Sequence, residues 1–154
     1  MRIAVVGSYG VGLTMRVQRA PEAGETVSAG TFSSGHGGKG SNQAVAAARL
    51  GAKVSLLTAV GRDAFGDAAR ELWRAEGIAH DHVVAADAAT MVGMILVDST
   101  GENRIAIAPG ALDVLSPAEV DRFENEIAAA DLLVTGFEIQ VEVARRALEL
   151  ARLH

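Results

Sequence analysis

The sequence predicts an α/β fold built on a parallel β-sheet. Three short runs of apolar and β-branched residues, at 3–6, 54–60 and 131–135, indicate strands that are buried on both faces. Segments with helical periodicity lie between these runs, and such alternation is typical of parallel strands joined by right-handed crossovers. We therefore expect a central sheet with helices packed on it.

Four segments carry helical signals. Residues 42–50 are rich in alanine, residues 64–76 carry an apolar stripe, and both are followed by glycine. Residues 116–119, Ser-Pro-Ala-Glu, form a capping box with proline at the first helical position. Residues 141–154 are helical to the last residue, and no strand follows. This pattern suggests a chain that is cut short, although a natural C-terminal helix docked on the sheet is equally compatible with it.

Two further segments interrupt the α/β rhythm. Residues 13–32 and 90–108 contain strand-like arms broken by turn residues, and the second segment has the pattern of a β-hairpin. We expect these arms to pair as a small antiparallel sheet apart from the main one. Such a sheet could cover a binding site or contact a second copy of the chain.

Composition and charge exclude several classes of function. The net charge of −5 disfavours binding to a nucleic-acid backbone. The chain has no cysteine, so it can form neither a disulfide nor a thiolate metal site. Its first apolar run is too short for a signal peptide or a membrane span. We expect a cytoplasmic protein with no nucleic-acid or membrane partner.

The most informative segment is the glycine-rich stretch at 35–43, immediately before a predicted helix. Four of the six residues 35–40 are glycine, which lets the backbone approach a ligand closely, and a helix start offers unpaired N–H groups. Lys39 adds a positive charge and Asn42 can both donate and accept hydrogen bonds. These groups suit a polyol, and the simpler alternative is a flexible connector.

This stretch matches neither of the two best-known nucleotide loops. A P-loop requires glycine where this chain has Ser33, and serine or threonine where it has Gly40. The dinucleotide fingerprint G-x-G-x-x-G is also absent after the first strand, where the glycines are Gly7, Gly10 and Gly12. A nucleotide-binding oxidoreductase domain is therefore only a remote alternative.

Residues 37–52 and 61–66 together resemble the first signature of the ribokinase-like (PfkB) carbohydrate kinase family. Supporting matches are Gly7-Ser8, Pro21, the Gly24-Glu25-Thr26-Val27 stretch, the Gly101-Glu102-Asn103-Arg104 turn and Glu138. The resemblance covers essentially the whole chain. It implies a truncated ribokinase-like fold, a three-layer parallel sheet with a small antiparallel lid sheet. Residues 1–154 would be its N-terminal sugar-binding part, and the C-terminal ATP-binding part would be absent.

The resemblance also implies which residues hold the sugar. The implied substrate-binding residues are Gly38, Lys39, Gly40, Ser41, Asn42 and Glu138. Gly10 and Gly12 stand where ribokinases carry asparagine and aspartate, so they are weaker candidates, and another sugar, a sugar phosphate or a nucleoside is a better expectation than ribose. We expect His36 to be a loop residue rather than a ligand or base, and we expect no metal site.

Intact members of the family transfer the γ-phosphoryl group of ATP to a sugar hydroxyl. The resemblance implies ATP and Mg²⁺ as their cofactors, with a monovalent cation as a further candidate. Their second half carries an Asp-Thr-x-Gly-Ala-Gly-Asp type of motif whose last aspartate is the base, and no such string occurs here. We therefore expect no catalytic residue, no tight cofactor binding and no turnover from this chain alone. A homodimer formed through the lid sheet is expected, and a non-catalytic dimerising or sugar-binding module is the alternative function.

Overall fold

The computed structural model describes residues 1–28 and 30–154. The strands are β1 Arg2–Val6, β2 Gly10–Arg16, β3 Thr31–Gly37, β4 Lys53–Leu57, β5 Ala59–Gly61, β6 Val84–Ala86, β7 Val92–Val97, β8 Asn103–Ala108 and β9 Leu132–Thr135. The helices are α1 Lys39–Arg49, α2 Ala64–Ala75, α3 Pro117–Arg122, α4 Glu124–Ala128 and α5 Val141–Leu153, with a 3₁₀ turn at Gly110–Val114. Within this part of the chain, no helix is long and apolar enough to cross a membrane.

The central sheet is parallel, with strand order β4-β1-β9. Alternate residues of β1 face opposite sides of this sheet, as a strand requires. Ile3 and Val5 pack in one apolar cluster with residues of α1 and α2, whereas Ala4 and Val6 pack in a second cluster with residues of α3, α4 and α5. The predicted three-layer α/β architecture is confirmed.

The predicted strand at 54–60 is wrong in its extent, because the structure divides it into β4 and β5. Leu57 still belongs to the central sheet, and its carbonyl accepts a hydrogen bond from the Gly7 N–H at 3.1 Å. The next carbonyl, that of Thr58, accepts from the Val84 N–H at 3.0 Å, and β5 pairs with β6 instead. Apart from Ser55 and Thr58 the run is apolar, because both of its halves are largely buried, so the change of partner leaves no clear mark in the sequence.

The second sheet has the order β3-β2-β7-β8. Strands β7 and β8 lie within the predicted lid segment 90–108, whereas β2 begins before the predicted segment 13–32 and β3 lies mostly beyond it. Residue 29 of that segment lies outside the described residues. The pairs β2-β3 and β7-β8 are antiparallel as expected, but β2 and β7 run parallel to each other. The lid is therefore a mixed sheet rather than a wholly antiparallel one. Turn residues predict that the two strands within each segment pair with each other. They carry no information on how the two strand pairs join.

The start of one helix also differs from the prediction. Helix α1 begins at Lys39 rather than at residue 42, so most of the glycine-rich stretch is regular structure. The capping box at Ser116 and Glu119 is present and starts α3, and Phe123 separates this helix from α4. His36 lies in strand β3 and not in a loop.

Candidate functional site

Strand β3 passes into helix α1 through a single residue, Gly38. Its φ of +84° is in the left-handed region that favours glycine. A Cβ atom at this position would also lie 2.6 Å from the Cα of Tyr9, which is too close for any other residue. The backbone at the start of α1 is thus fixed tightly against the segment that follows β1.

A second close approach lies two residues after Gly38, where the backbone of Gly40 contacts the backbone of Gly7. A Cβ atom on Gly40 would lie 2.6 Å from the Ser8 nitrogen and 2.7 Å from the Gly7 Cα. A Cβ atom on Gly7 would lie 2.8 Å from the Gly40 Cα. These contacts bring the carboxyl end of β1 directly to the first turn of α1.

The first turn of α1 is capped by residues from other elements, because Gly38 has no side chain to do so. The Lys39 N–H donates to Glu138 Oε2 at 2.8 Å, and the Gly40 N–H donates to Ser8 Oγ at 3.3 Å. The Ser41 N–H donates to the Ser8 carbonyl at 2.9 Å. The free N–H groups of the helix start are therefore bonded to Ser8 and to Glu138, a carboxylate that the helix dipole also favours.

Glu138 stands at the centre of this arrangement, after the end of β9. Its carboxylate forms an ion pair with Lys39 Nζ and accepts a hydrogen bond from Ser8 Oγ at 2.5 Å. Burial disfavours the charged form of Glu138, but the hydrogen bonds from the Lys39 side chain, from Ser8 and from the Lys39 N–H outweigh it, and the pKa of Glu138 lies below its usual value. Glu138 is thus a carboxylate at neutral pH, and it can accept hydrogen bonds in the cavity at the carboxyl end of the central sheet.

A small cavity of about 50 Å³ adjoins this ion pair. It is lined by Gly7, Ser8, Lys39, Gly40, Gln43, Gly136, Phe137 and Glu138. Ligand pockets usually measure about 300–1,000 Å³, so these residues form one wall of a site rather than a closed pocket. Phe137, which is 87% exposed, stands at the open side.

The structure brings most of the predicted site residues together. Gly38, Lys39, Gly40 and Glu138 meet at the carboxyl end of the central sheet, as expected. Asn42 does not line the same cavity but a separate hollow of about 500 Å³, with His36, Val45, Ala46, Arg49 and Leu72. The hydroxyl oxygen of Ser41 accepts a hydrogen bond from the buried Trp73 Nε1 at 2.9 Å, so this side chain is directed into the core.

His36 is held by a buried tyrosine. Its Nδ1 lies 2.7 Å from the hydroxyl oxygen of Tyr9, in a hydrogen bond between the lid and the core. Burial, with a smaller contribution from the charge of Asp63, raises the pKa of Tyr9 to about 12, so the phenol stays protonated. The pair serves to join strand β3 to the end of β1.

Gly10 and Gly12, the weaker candidates, lie in β2 opposite Gly37 and Gly35. A Cβ atom at Gly10 would lie 2.3 Å from Met91 Cε and 2.9 Å from the Met91 carbonyl oxygen. The side chain of Met91 therefore occupies the space that a larger residue at position 10 would need. Near Gly12 the space is less crowded, with Ile95 Cδ1 at 3.4 Å from a Cβ atom built there.

Sequence reasoning missed the two polar residues Ser8 and Gln43 of the cavity wall, and also Gly7, Gly136 and Phe137. Ser8 is 1% exposed although its side chain is polar, and its contacts come from elements distant in the chain. The available signals were its position just after the first strand and its place in the Gly7-Ser8 match to the family. Gln43 follows Asn42 in the glycine-rich stretch. Because successive residues of a helix point in different directions, Gln43 lines the Glu138 cavity and Asn42 does not.

Metal ions in proteins are commonly held by clusters of carboxylate and imidazole side chains. Within residues 1–28 and 30–154, no group of three or more His, Asp or Glu side chains is placed to hold a metal ion. Mg²⁺ commonly keeps several waters and takes only one or two protein carboxylates together with substrate phosphates, so this finding concerns only sites built from several protein side chains.

Known proteins share both the sequence and the fold. The ribokinase of Schizosaccharomyces pombe is 40% identical over 161 residues, and the deoxyribokinase of Salmonella typhi is 39% identical over 155 residues. Each alignment covers 100% of this chain and 51% of the relative. The structure of Arabidopsis thaliana ribokinase complexed with ribose and ATP matches with a TM-score of 0.80 at 27% identity, over 97% of this chain and 50% of that one.

This chain thus spans about half the length of the curated relatives that it matches. The pattern of the pfkB family carbohydrate kinases matches residues 2–154, which is nearly every residue. The glycine signature, the three-layer fold and the lid agree with that match. The chain therefore belongs to the pfkB family of carbohydrate kinases.

Proposed function

We propose that this chain is the sugar-binding part of an ATP-dependent carbohydrate kinase, which transfers the γ-phosphoryl group of ATP to a sugar hydroxyl. The observation that carries the proposal is the meeting of Lys39 and Glu138, which are 99 residues apart in sequence, at the start of α1. The relatives support it, since they are ribokinases and a deoxyribokinase, and one was solved with ribose and ATP.

The chemistry of this pair suits hydroxyl groups. The Lys39 ammonium can donate to a sugar oxygen, and the Glu138 carboxylate can accept from a sugar hydroxyl. A sugar that binds here has to exchange part of the Lys39–Glu138 contact for its own hydrogen bonds. The proposed substrate-binding residues are Gly38, Lys39, Gly40, Ser41, Asn42 and Glu138, with Gly10 and Gly12 as weaker candidates that offer only their backbone.

We infer that the chain alone gives no turnover. Phosphoryl transfer depends on a positioned base and on stabilised charge around the nucleotide and its metal ion. The family resemblance assigns both to the half of the fold that this chain does not include. ATP and Mg²⁺ therefore belong to the proposal for the whole enzyme.

A dimerising module is a second candidate, and the outer face of the lid favours it. Exposed apolar side chains surround a hollow of about 460 Å³ in this sheet; among them are Met15, Phe32, Met94 and Ile105. Apolar patches of this kind commonly mark contacts with other proteins. We propose a homodimer through this face, which is compatible with either function.

Calorimetric titration of a sugar panel, which includes D-ribose and 2-deoxy-D-ribose, tests the proposal on the purified chain. We expect at least one sugar to bind, and we expect Glu138→Gln to abolish its binding. The matched control is Glu126→Gln, because Glu126 accepts a hydrogen bond from Ser55 at the opposite end of the sheet. Dimerisation seen by size-exclusion chromatography, without binding of any sugar, would favour the module instead.

A further inference from the structure

We propose that Ser8 is a positioning residue that fixes the Glu138 carboxylate against the amino end of α1. The proposal concerns the geometry of Glu138, and only its affinity readout rests on the proposed function. Ser8 lies between β1 and β2, 130 residues before Glu138, and it is not among the residues that the glycine signature predicts for the site.

The hydroxyl of Ser8 makes two hydrogen bonds of opposite sense. It donates to Glu138 Oε2 at 2.5 Å and accepts from the Gly40 N–H at 3.3 Å. Because a hydroxyl carries one proton, the bond from Gly40 directs that proton toward the carboxylate. The Ser8 carbonyl is held in turn by the Ser41 N–H at 2.9 Å, so the residue is tied to α1 at two points.

These bonds divide the two oxygens of Glu138 between different tasks. Oε2 receives the Ser8 hydroxyl and the Lys39 N–H, which lock its position against the backbone. Among residues 1–28 and 30–154, the hydrogen-bond partner of Oε1 is the Lys39 ammonium, on a side chain that is 76% exposed. Oε1 is therefore the oxygen that can accept a hydrogen bond from a ligand, while Ser8 holds Oε2 in place.

Because Ser8 is buried, loss of its hydroxyl should be costly. Ser8 is 1% exposed and Gly40 is buried, so bulk water does not readily replace the hydroxyl. Without it, the buried Gly40 N–H loses its acceptor, which is unfavourable because water does not readily replace it. Glu138, whose side chain is 31% exposed, loses a donor to its charged form. The loss of a donor to the carboxylate raises the pKa of Glu138 toward its usual value.

The test compares Ser8→Ala with Ser55→Ala in the whole chain. Ser55 makes the same kind of bond, to Glu126 Oε2 at 2.6 Å, at the other end of the central sheet. Carbon-detected NMR titration follows the side-chain carboxyl of Glu138, assigned by comparison with Glu138→Gln. We expect Ser8→Ala to raise the pKa of Glu138 and Ser55→Ala to leave it unchanged.

A second variant, Ser8→Cys, places a somewhat larger thiol on the same Cβ atom, where it donates a weaker hydrogen bond, and it should raise the same pKa even if the alanine variant fails to fold. For any sugar that binds, Ser8→Ala should weaken the affinity about tenfold, the effect expected for one bond to a charged group. An unchanged pKa of Glu138 in both Ser8 variants would overturn the proposal. If no sugar binds the native chain, the proposed function fails, whereas the titration still decides the role of Ser8.

Discussion

The contact between the backbones of Gly7 and Gly40 predicts that Gly40→Ala destabilises the fold. The new Cβ atom would lie 2.6 Å from the Ser8 nitrogen and 2.7 Å from Gly7, and all of these neighbours are backbone atoms that cannot rotate away. Helix α1 would have to move away from β1, which lengthens the Gly40–Ser8 hydrogen bond from its present 3.3 Å.

The expected loss of stability follows from three contributions. Overpacking of a close-packed region costs about 1–3 kcal/mol. A weakened hydrogen bond adds about 1 kcal/mol. Alanine gains up to about 1 kcal/mol over glycine within a helix, so the net loss is about 2 kcal/mol.

Urea denaturation followed by the fluorescence of Trp73, the single tryptophan, measures this loss. With a slope of about 2 kcal/mol per molar urea, the midpoint should fall by about 1 M. The matched control is Gly35→Ala in the same stretch, because nothing lies within 4 Å of a Cβ atom there. Equal midpoints for Gly40→Ala and the native chain would refute the reasoning from backbone contact.

Two further predictions concern stability at neighbouring sites. Gly10→Ala should destabilise the fold by about 1–3 kcal/mol because the Met91 carbonyl oxygen lies 2.9 Å from the new atom, and Met91 Cε, 2.3 Å away, would have to move aside. Met91→Ala should relieve part of that loss, so strictly additive effects in a double-mutant cycle would contradict the contact. Burial disfavours the charged form of Asp63, but hydrogen bonds from the Thr90 N–H and hydroxyl and from the Gly66 N–H outweigh it and lower its pKa below 3.8. This carboxylate therefore stabilises the fold fully above its unfolded pKa, and the stabilisation is lost as the pH falls through the lower folded value. Urea midpoints measured from pH 6 to pH 2 should thus fall less steeply below about pH 4 in Asp63→Asn, which keeps a capping side chain, and parallel curves would show that Asp63 is not responsible.

The local elements could be predicted because local patterns specify them. The apolar runs at 3–6 and 131–135 became β1 and β9, and the capping box at 116–119 started α3, since burial and capping depend on residues near in sequence. The run at 54–60 was predicted as one strand and is two. Its partners, β1 and β6, lie far away in the chain, and an apolar run is equally buried beside either of them.

The same limit applies to the lid and to the helix start. The antiparallel pairs β2-β3 and β7-β8 form locally as predicted. The parallel pairing of β2 with β7 depends instead on where the two strands start relative to the central sheet. The glycines at 37–40 indicated a close approach without revealing that α1 already begins at Lys39. That boundary depends on caps supplied by Ser8 and Glu138.

The sequence by itself determined the fold class, the glycine-rich approach around Gly38 and Lys39, and the likeness to carbohydrate kinases, because residue type and spacing carry that information. Only the tertiary structure decided that Ser8, 130 residues before Glu138, donates a hydrogen bond to its carboxylate at the start of α1. It also decided that Asn42 lines a different hollow from Glu138. The physical reason is that hydrogen bonds between distant segments depend on how helices and strands pack, and no local pattern of residues records that packing.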